Sequence, residues 1–228
     1  MSETAGLVVL LDVDNTLLDN DLVLARLHRE LEGVLPEHLA DRFWQVYEQV
    51  RAETDLVDFP RTMELFGRVC PEADCIGEVH AILYSFPFQE CLYPDSLKVI
   101  EHVASFATAV ILSDGDQFFQ RYKIRAAGLE QAVDGRVLIY VHKEENTGDI
   151  QRRYPAAHYA LVDDKPRIHV AMKRQMGGNL TTVMVMQGKY ARELHPRDRR
   201  AMDVTVGGIG ELLAMTARDL MAVKTAAA

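Results

Sequence analysis

Residues 7–11 form an unbroken aliphatic run that ends in the acidic stretch Asp12-Val13-Asp14-Asn15, the pattern of a strand covered on both faces. Three comparable runs follow much later, at Ala107 to Leu112, Arg136 to Val141 and His158 to Val162, and Thr181 to Met186 reads as a fifth. Each is separated from the next by a helix-length segment, so the alternation predicts a parallel sheet wrapped by helices, an α/β fold. Between the first run and the second lies a different kind of sequence. From Asn20 to Tyr93 apolar residues recur at helical intervals: Leu24, Leu27 and Leu31; Leu39, Phe43, Val46, Tyr47 and Val50; Ile76, Val79, Ile82, Leu83 and Phe86. Pro36, Pro60 and Pro71 stand where helices start or stop. The pattern predicts an all-helical insert over residues 20–93 in an α/β core made of residues 1–19 and 94–228, the two crossings serving as the hinge of a lid. The pairs Gly177-Gly178 and Gly207-Gly208 read as turns, and Lys224 to Ala228 as a frayed end.

Composition narrows the field. The 228 residues are 48% hydrophobic and 26% charged, which suits a globular chain. Lys and Arg total 25 against 34 Asp and Glu, a net charge of −9 that is the wrong balance for gripping a phosphate backbone, so nucleic acid is not expected as a partner. No apolar run approaches the ~20 residues that span a bilayer, and the early run lacks a basic leader, so neither membrane span nor signal peptide is expected. The three cysteines, Cys70, Cys75 and Cys91, show no metal-ligand or C-x-x-C spacing; they read as packing residues in a reducing, cytoplasmic compartment.

Ligands of an open parallel sheet collect at the carboxyl ends of its strands, so the residues ending each run carry the chemistry. They are Asp12 and Asp14; Ser113 with Asp114-Gly115; His142-Lys143; and Asp163-Asp164. Carboxylates gathered on one rim repel unless a cation neutralises them, and the hard, oxygen-seeking choice is Mg²⁺. Ser113, Lys143 and the turn amides near Gly115 are donors for an anion. Metal and anion donors together point to phosphate, and a carboxylate can attack it to form an aspartyl-phosphate.

These residues resemble the haloacid dehalogenase-like superfamily: Asp12-Val13-Asp14-Asn15-Thr16-Leu17 is similar to its D-x-D-x-T-L opening, and the later features match its other motifs in order. The resemblance implies a Rossmann-like parallel sheet with an inserted all-helical cap domain of the C1 type, re-entering the core near Tyr93-Pro94-Asp95. It implies Asp12 as nucleophile, Asp14 as acid/base whose backbone carbonyl also reaches Mg²⁺, and Ser113, Asp114 and Gly115 around the phosphate. Lys143 would neutralise nucleophile and phosphate, with Asp163 and Asp164 as metal residues. Lys123 and Lys165 compete for the role of Lys143, but Lys123 falls in the helical stretch Asp116 to Ala127 and is expected to face solvent. Many relatives carry a further acid four or five residues after the first of the last pair; here Arg167 and Ile168 stand there, and Lys165 either crowds the cation or bonds a carboxylate.

Simpler readings exist for most of these positions. Asp163-Asp164 can be a helix cap before Pro166, Ser113 an ordinary turn hydroxyl, and Asp116 the cap of the next helix. The eight histidines form no ligand pair and read as surface or core. Phe43, Trp44, Tyr47, Phe59 and Arg61 can line a substrate pocket under the insert, although helical spacing makes most of them core. The expected activity is Mg²⁺-dependent hydrolysis of a small phosphomonoester. Alternatives are a sugar phosphomutase, a haloacid dehalogenase, which in this superfamily lacks the second acid and needs no metal, and a non-catalytic phosphate-binding or signalling module.

Overall fold

The computed structural model describes residues 5–54, 56–70, 75–193 and 202–222; Pro71 and the Lys224 to Ala228 end lie outside them, as does the side chain of Cys75. Six parallel strands form one sheet: β1 (Ala5–Leu11), β2 (Thr108–Asp114), β3 (Val137–Tyr140), β4 (Ala156–Asp163), β5 (Leu180–Val185) and β6 (Val204–Val206), in the order β3-β2-β1-β4-β5-β6. The period-2 geometry of β1 explains its unbroken apolar run. Leu7, Val9 and Leu11 enter one hydrophobic cluster while Val8 and Leu10 enter another on the opposite face.

On the first face pack α1 (Asn20–Val34), α2 (Glu37–Thr54), α3 (Phe59–Val69), α4 (Cys75–Ser85), α5 (Ser96–Ala104) and α6 (Phe119–Ala126), through Leu27, Phe43, Phe66, Leu83, Val99 and Ile124 among others. A short α7 (Leu129–Ala132) belongs to the same side. The second face is covered by α8 (Thr147–Arg153) and α9 (Pro166–Met176), through Ile150, Ile168, Met172 and Met176. The Rossmann-like parallel sheet flanked by helices is therefore present. Four helices and no strand lie between residues 20 and 85 among the described residues, and Pro60 sits in the first turn of α3, where its missing N–H is harmless.

The chain leaves β1 toward β2 and β3, then crosses back to place β4 on the other side of β1, so a switch point opens beside β1. The two segments joining the helices to the sheet pair with each other there. Asp19 N–H donates to Cys91 O at 2.8 Å, and Tyr93 N–H to Leu17 O at 3.0 Å. Among the described residues no helix is long and apolar enough to cross a membrane.

Candidate active site

Backbone geometry sets the first acids. Asp12 N–H donates to Val162 O at 3.0 Å, extending the β1–β4 pairing by one residue. The chain then turns: the amides of Leu17 and Leu18 both reach Val13 O at 2.9 Å, and Asn15 takes φ = +59°, a left-handed conformation its short polar side chain tolerates. Asn15 Oδ1 in turn accepts from the amide of Asn20 at 3.0 Å, which ties the turn to the start of α1.

Four strand ends converge on Lys143. Its ammonium, fully buried, lies 2.5 Å from Asp12 Oδ1 and 2.6 Å from Asp163 Oδ2, and donates to Leu112 O at 3.3 Å; its own amide donates to Asp114 Oδ1 at 3.0 Å. Burial alone would depress such an amine, but Asp12, Asp163 and Asp114 outweigh it and hold Lys143 well above the usual lysine range. Asp163 Oδ1 accepts from the Lys165 amide at 2.8 Å, and His169, buried on α9, holds the Asp163 carbonyl at 3.0 Å. Lys165 stands with its ammonium 3.6 Å from Asp114 Oδ2, an ion pair without a hydrogen bond.

Asp12, Asp163 and Asp164 are all buried, and their candidate ligand oxygens lie within 4.8 Å of one another. Among the described residues, Asp12 Oδ2 and both oxygens of Asp164 have no hydrogen-bond partner. Burial, with Asp163 and Asp12 adding repulsion, pushes the Asp164 carboxyl up to about 9, and burial with Asp163 pushes Asp12 up to about 6 against the pull of Lys143. A buried acid oxygen without a partner is costly, and three converging acids, two of them with such oxygens, fit a hard divalent cation such as Mg²⁺.

Asp14 goes elsewhere. Its carboxylate is bound by α6: Lys123 Nζ approaches Oδ1 to 2.6 Å and Gln120 Nε2 donates to Oδ2 at 3.1 Å and also to Ser113 Oγ at 2.8 Å. Burial alone would raise Asp14, yet Lys123 outweighs it and holds the carboxyl below its ordinary value. The expectation that Lys123 faces solvent is thus corrected: α6 begins at Phe119, and Phe119, Gln120, Lys123 and Ile124 form its buried face. The Asp14 carboxylate stands outside the cluster formed by the other three acids.

Two further expectations change. The Gly115 amide, expected as a phosphate donor, donates to Tyr140 O at 2.9 Å, and the Asp114 carboxylate accepts from Lys143. Gly115 still needs its lack of a side chain, since φ = +150° and a Cβ would come within 3.0 Å of Gln120. Asp163-Asp164 is no helix cap: Lys165 occupies that position on α9. Asp116 does accept from the amides of Phe118 and Phe119, the capping reading.

Above the acids lies a cleft of about 200 Å³, lined from the sheet side by Asp14, Asp114, Asp164 and Lys165 and from α2 by Tyr47 and Arg51. Of the five pocket candidates in the insert only Tyr47 lines it. Phe43 and Phe59 are buried in the core, Trp44 stacks on His28 with ring centres 3.6 Å apart, and Arg61 pairs with Glu53 at 2.8 Å. Sequence reasoning missed Arg51, Gln120 and Lys189, and named Lys123 only to place it facing solvent. The signal for Arg51 was its place four residues after Tyr47, one turn along the same helix face.

No family model and no curated protein matches the chain, whereas solved structures do. A haloacid dehalogenase-like hydrolase from Burkholderia xenovorans LB400 is 40% identical, with 92% of this chain and 99% of that one covered and a TM-score of 0.84. L-2-haloacid dehalogenase from Xanthobacter autotrophicus is 16% identical over 91% of this chain and 96% of its own, with a TM-score of 0.57. A Bacillus subtilis hydrolase of the same family, bound to magnesium, is 17% identical over 93% and 98%, with a TM-score of 0.54. The two distant likenesses concern the fold; the first, spanning nearly both chains, places this chain among the haloacid dehalogenase-like hydrolases.

Proposed function

We propose that this hydrolase is a Mg²⁺-dependent phosphatase acting on a small phosphomonoester, with residues 20–93 as a helical cap over an α/β core. The observation that carries the reading is the buried trio Asp12, Asp163 and Asp164, converging within 4.8 Å, with oxygens of Asp12 and Asp164 that lack a hydrogen-bond partner among the described residues, a set suited to a divalent cation. Magnesium in the Bacillus subtilis relative supports it. Asp12, Asp163 and Asp164, with the Asp14 carbonyl, would hold the ion, which supplies positive charge against the phosphoryl oxygens.

The chain's own residues supply the rest. Asp12 Oδ2, free of hydrogen bonds, attacks phosphorus while Lys143 fixes the other oxygen of the same carboxylate. The bond from phosphorus to the leaving oxygen breaks, and Asp14 delivers a proton to the departing alkoxide. Asp14 then takes a proton from water, which attacks the aspartyl-phosphate and releases phosphate with Asp12 restored. Ser113, tethered by Gln120 beside Asp14, offers its hydroxyl proton to a phosphoryl oxygen. Asp14 must carry a proton before the first transfer, so Lys123 yields part of its hold while Asp14 is protonated and regains it as the carboxylate forms.

That hold favours a second reading. Asp14 is kept ionised by Lys123, unsuited to an acid's role, and relatives of the same fold are L-2-haloacid dehalogenases. The two activities separate in one experiment. The phosphatase reading expects phosphate release from p-nitrophenyl phosphate that requires Mg²⁺, stops with EDTA and vanishes in Asp12→Asn. Chloride release from 2-chloropropionate without added metal, and no phosphate release, would establish the dehalogenase instead.

A further inference from the structure

The cleft above the acids is small. At about 200 Å³ it falls below the ~300–1,000 Å³ of pockets for drug-sized ligands, so the organic part of a bound phosphate ester has to be short. Its α2 wall carries two polar groups with no hydrogen bond to any of the described residues. Tyr47 is 2% exposed and its hydroxyl has no hydrogen-bond partner. Burial pushes that phenol up to about 12, so it stays a donor. Arg51 lies one helical turn on, and among the described residues its ion-pair contact is with Glu48 Oε1, 3.8 Å away, at the outer limit of an ion pair. By contrast, Asp14 is bound by Lys123, Asp114 accepts from the Lys143 amide and faces Lys165, and Asp21 accepts from the Asn15 side-chain amide. The wall of the cleft also includes the apolar Leu24, Leu56 and Val57.

A planar guanidinium fork and one hydroxyl donor match the two oxygens of a carboxylate; a second phosphoryl group, with three oxygens, would ask for more. The apolar part of the wall suits a chain of two or three carbons. Resting on the phosphatase reading of the same site, we propose that Tyr47 and Arg51 bind a carboxylate carried by the leaving group, so that the substrate is a short phosphorylated hydroxy acid.

Calorimetric titration of the Asp12→Asn protein in Mg²⁺ compares 2-phosphoglycolate with ethyl phosphate, which lacks only the carboxylate. The expected result is at least ~10-fold tighter binding of 2-phosphoglycolate, the scale of one charge-assisted bidentate contact. Adding Arg51→Met should erase that preference while changing ethyl phosphate affinity less than about 2-fold, and Arg51→Lys should restore part of it. Tyr47→Phe should cost roughly 3- to 10-fold on 2-phosphoglycolate alone, one buried hydrogen bond. Equal affinity for the two ligands, equal weakening of both by Arg51→Met, or binding of neither overturns the subsite. If Asp12→Asn fails to fold, the ratio of kcat/KM for the two esters, with and without Arg51→Met in the intact enzyme, reads the same preference. Failure of the parent reading looks different: p-nitrophenyl phosphate is not turned over, yet the carboxylate preference and its dependence on Arg51 persist.

Discussion

Lys123 shows what a buried charge does to its neighbours. Only 3% of its side chain is exposed, and the 2.6 Å approach to Asp14 gives the buried ammonium a carboxylate partner where water has little access. Lys123→Met leaves Asp14, one-fifth exposed, to find water for itself, and is expected to cost about 1.5–3 kcal/mol in denaturant unfolding, the net worth of a hydrogen bond to a charged group. If Asp14 transfers the proton, removing the lysine that keeps it ionised should speed hydrolysis of alkyl phosphates, with their poor leaving groups, relative to that of p-nitrophenyl phosphate, within the ~10²–10⁴ that general acid catalysis contributes. An equal loss on both esters would make Lys123 a structural residue only. Periodicity does not register this lysine, because charge at a helical position reads as solvent-facing unless the acid that meets it, 109 positions earlier, is known to be near. Asp12, Ser113, Lys143 and Asp163-Asp164 were legible because each lies just past an aliphatic run whose parallel pairing delivers its end to one rim.

At the scale of elements, legibility tracked length and apolar content. β1, β2, β3, β4 and β5 answer to the five aliphatic runs. β6 escaped notice because Val204–Val206 is three residues long and its register with β5 is set by tertiary contact. α10 (Gly188–Glu193) begins at a point no pattern announces: Gly188 has φ = +64°, and a Cβ there would lie 2.5 Å from Asn15 Cγ. Gly188→Ala should therefore lower stability by more than about 1 kcal/mol, seen as a lower Tm, because it strains the backbone and displaces the side chain that receives the start of α1. β4 carries a pH response. His158, bonded to Thr181 Oγ1 at 2.8 Å, has its pKa lowered by burial and then by Lys173. The unfolded chain thus binds the proton more readily, so the contribution is complete above ~6.5 and is lost progressively as pH falls below that value and through the lower folded-state pKa. Tm measured from pH 8 to pH 5 should fall on acidification, and His158→Asn should flatten the slope.

At the scale of the molecule, the reading of residues 20–93 as a cap meets a physical constraint. The helices of the insert and one face of the sheet share a single hydrophobic cluster, and an aromatic seam joins them. Phe59 and Tyr84 meet Phe119 of α6 with ring centres 4.9 and 5.7 Å apart, Tyr84 lies 4.9 Å from Tyr122, and the Tyr122 hydroxyl donates to the Tyr84 carbonyl. Sequence periodicity found the helices but not this seam, since a residue packed within the insert and one packed across to the core leave the same trace. Each aromatic pair contributes about 0.5–1.5 kcal/mol beyond its area, so swinging the helices away about the paired segments at Leu17–Asp19 and Cys91–Tyr93 costs several such contacts. Opening is then a rare excursion, and the hinge is cut by protease only during it. Tyr84→Leu keeps an apolar side chain but removes two of those pairs, and is expected to speed nicking near Asn20 and Pro94 while the sheet fragment survives. Mg²⁺ with a bound phosphate analogue, held from both walls of the cleft, should slow the nicking again in both proteins. Nicking that ignores both the substitution and the ligand would mean that the seam never parts, and that substrate enters the cleft without movement of the helices.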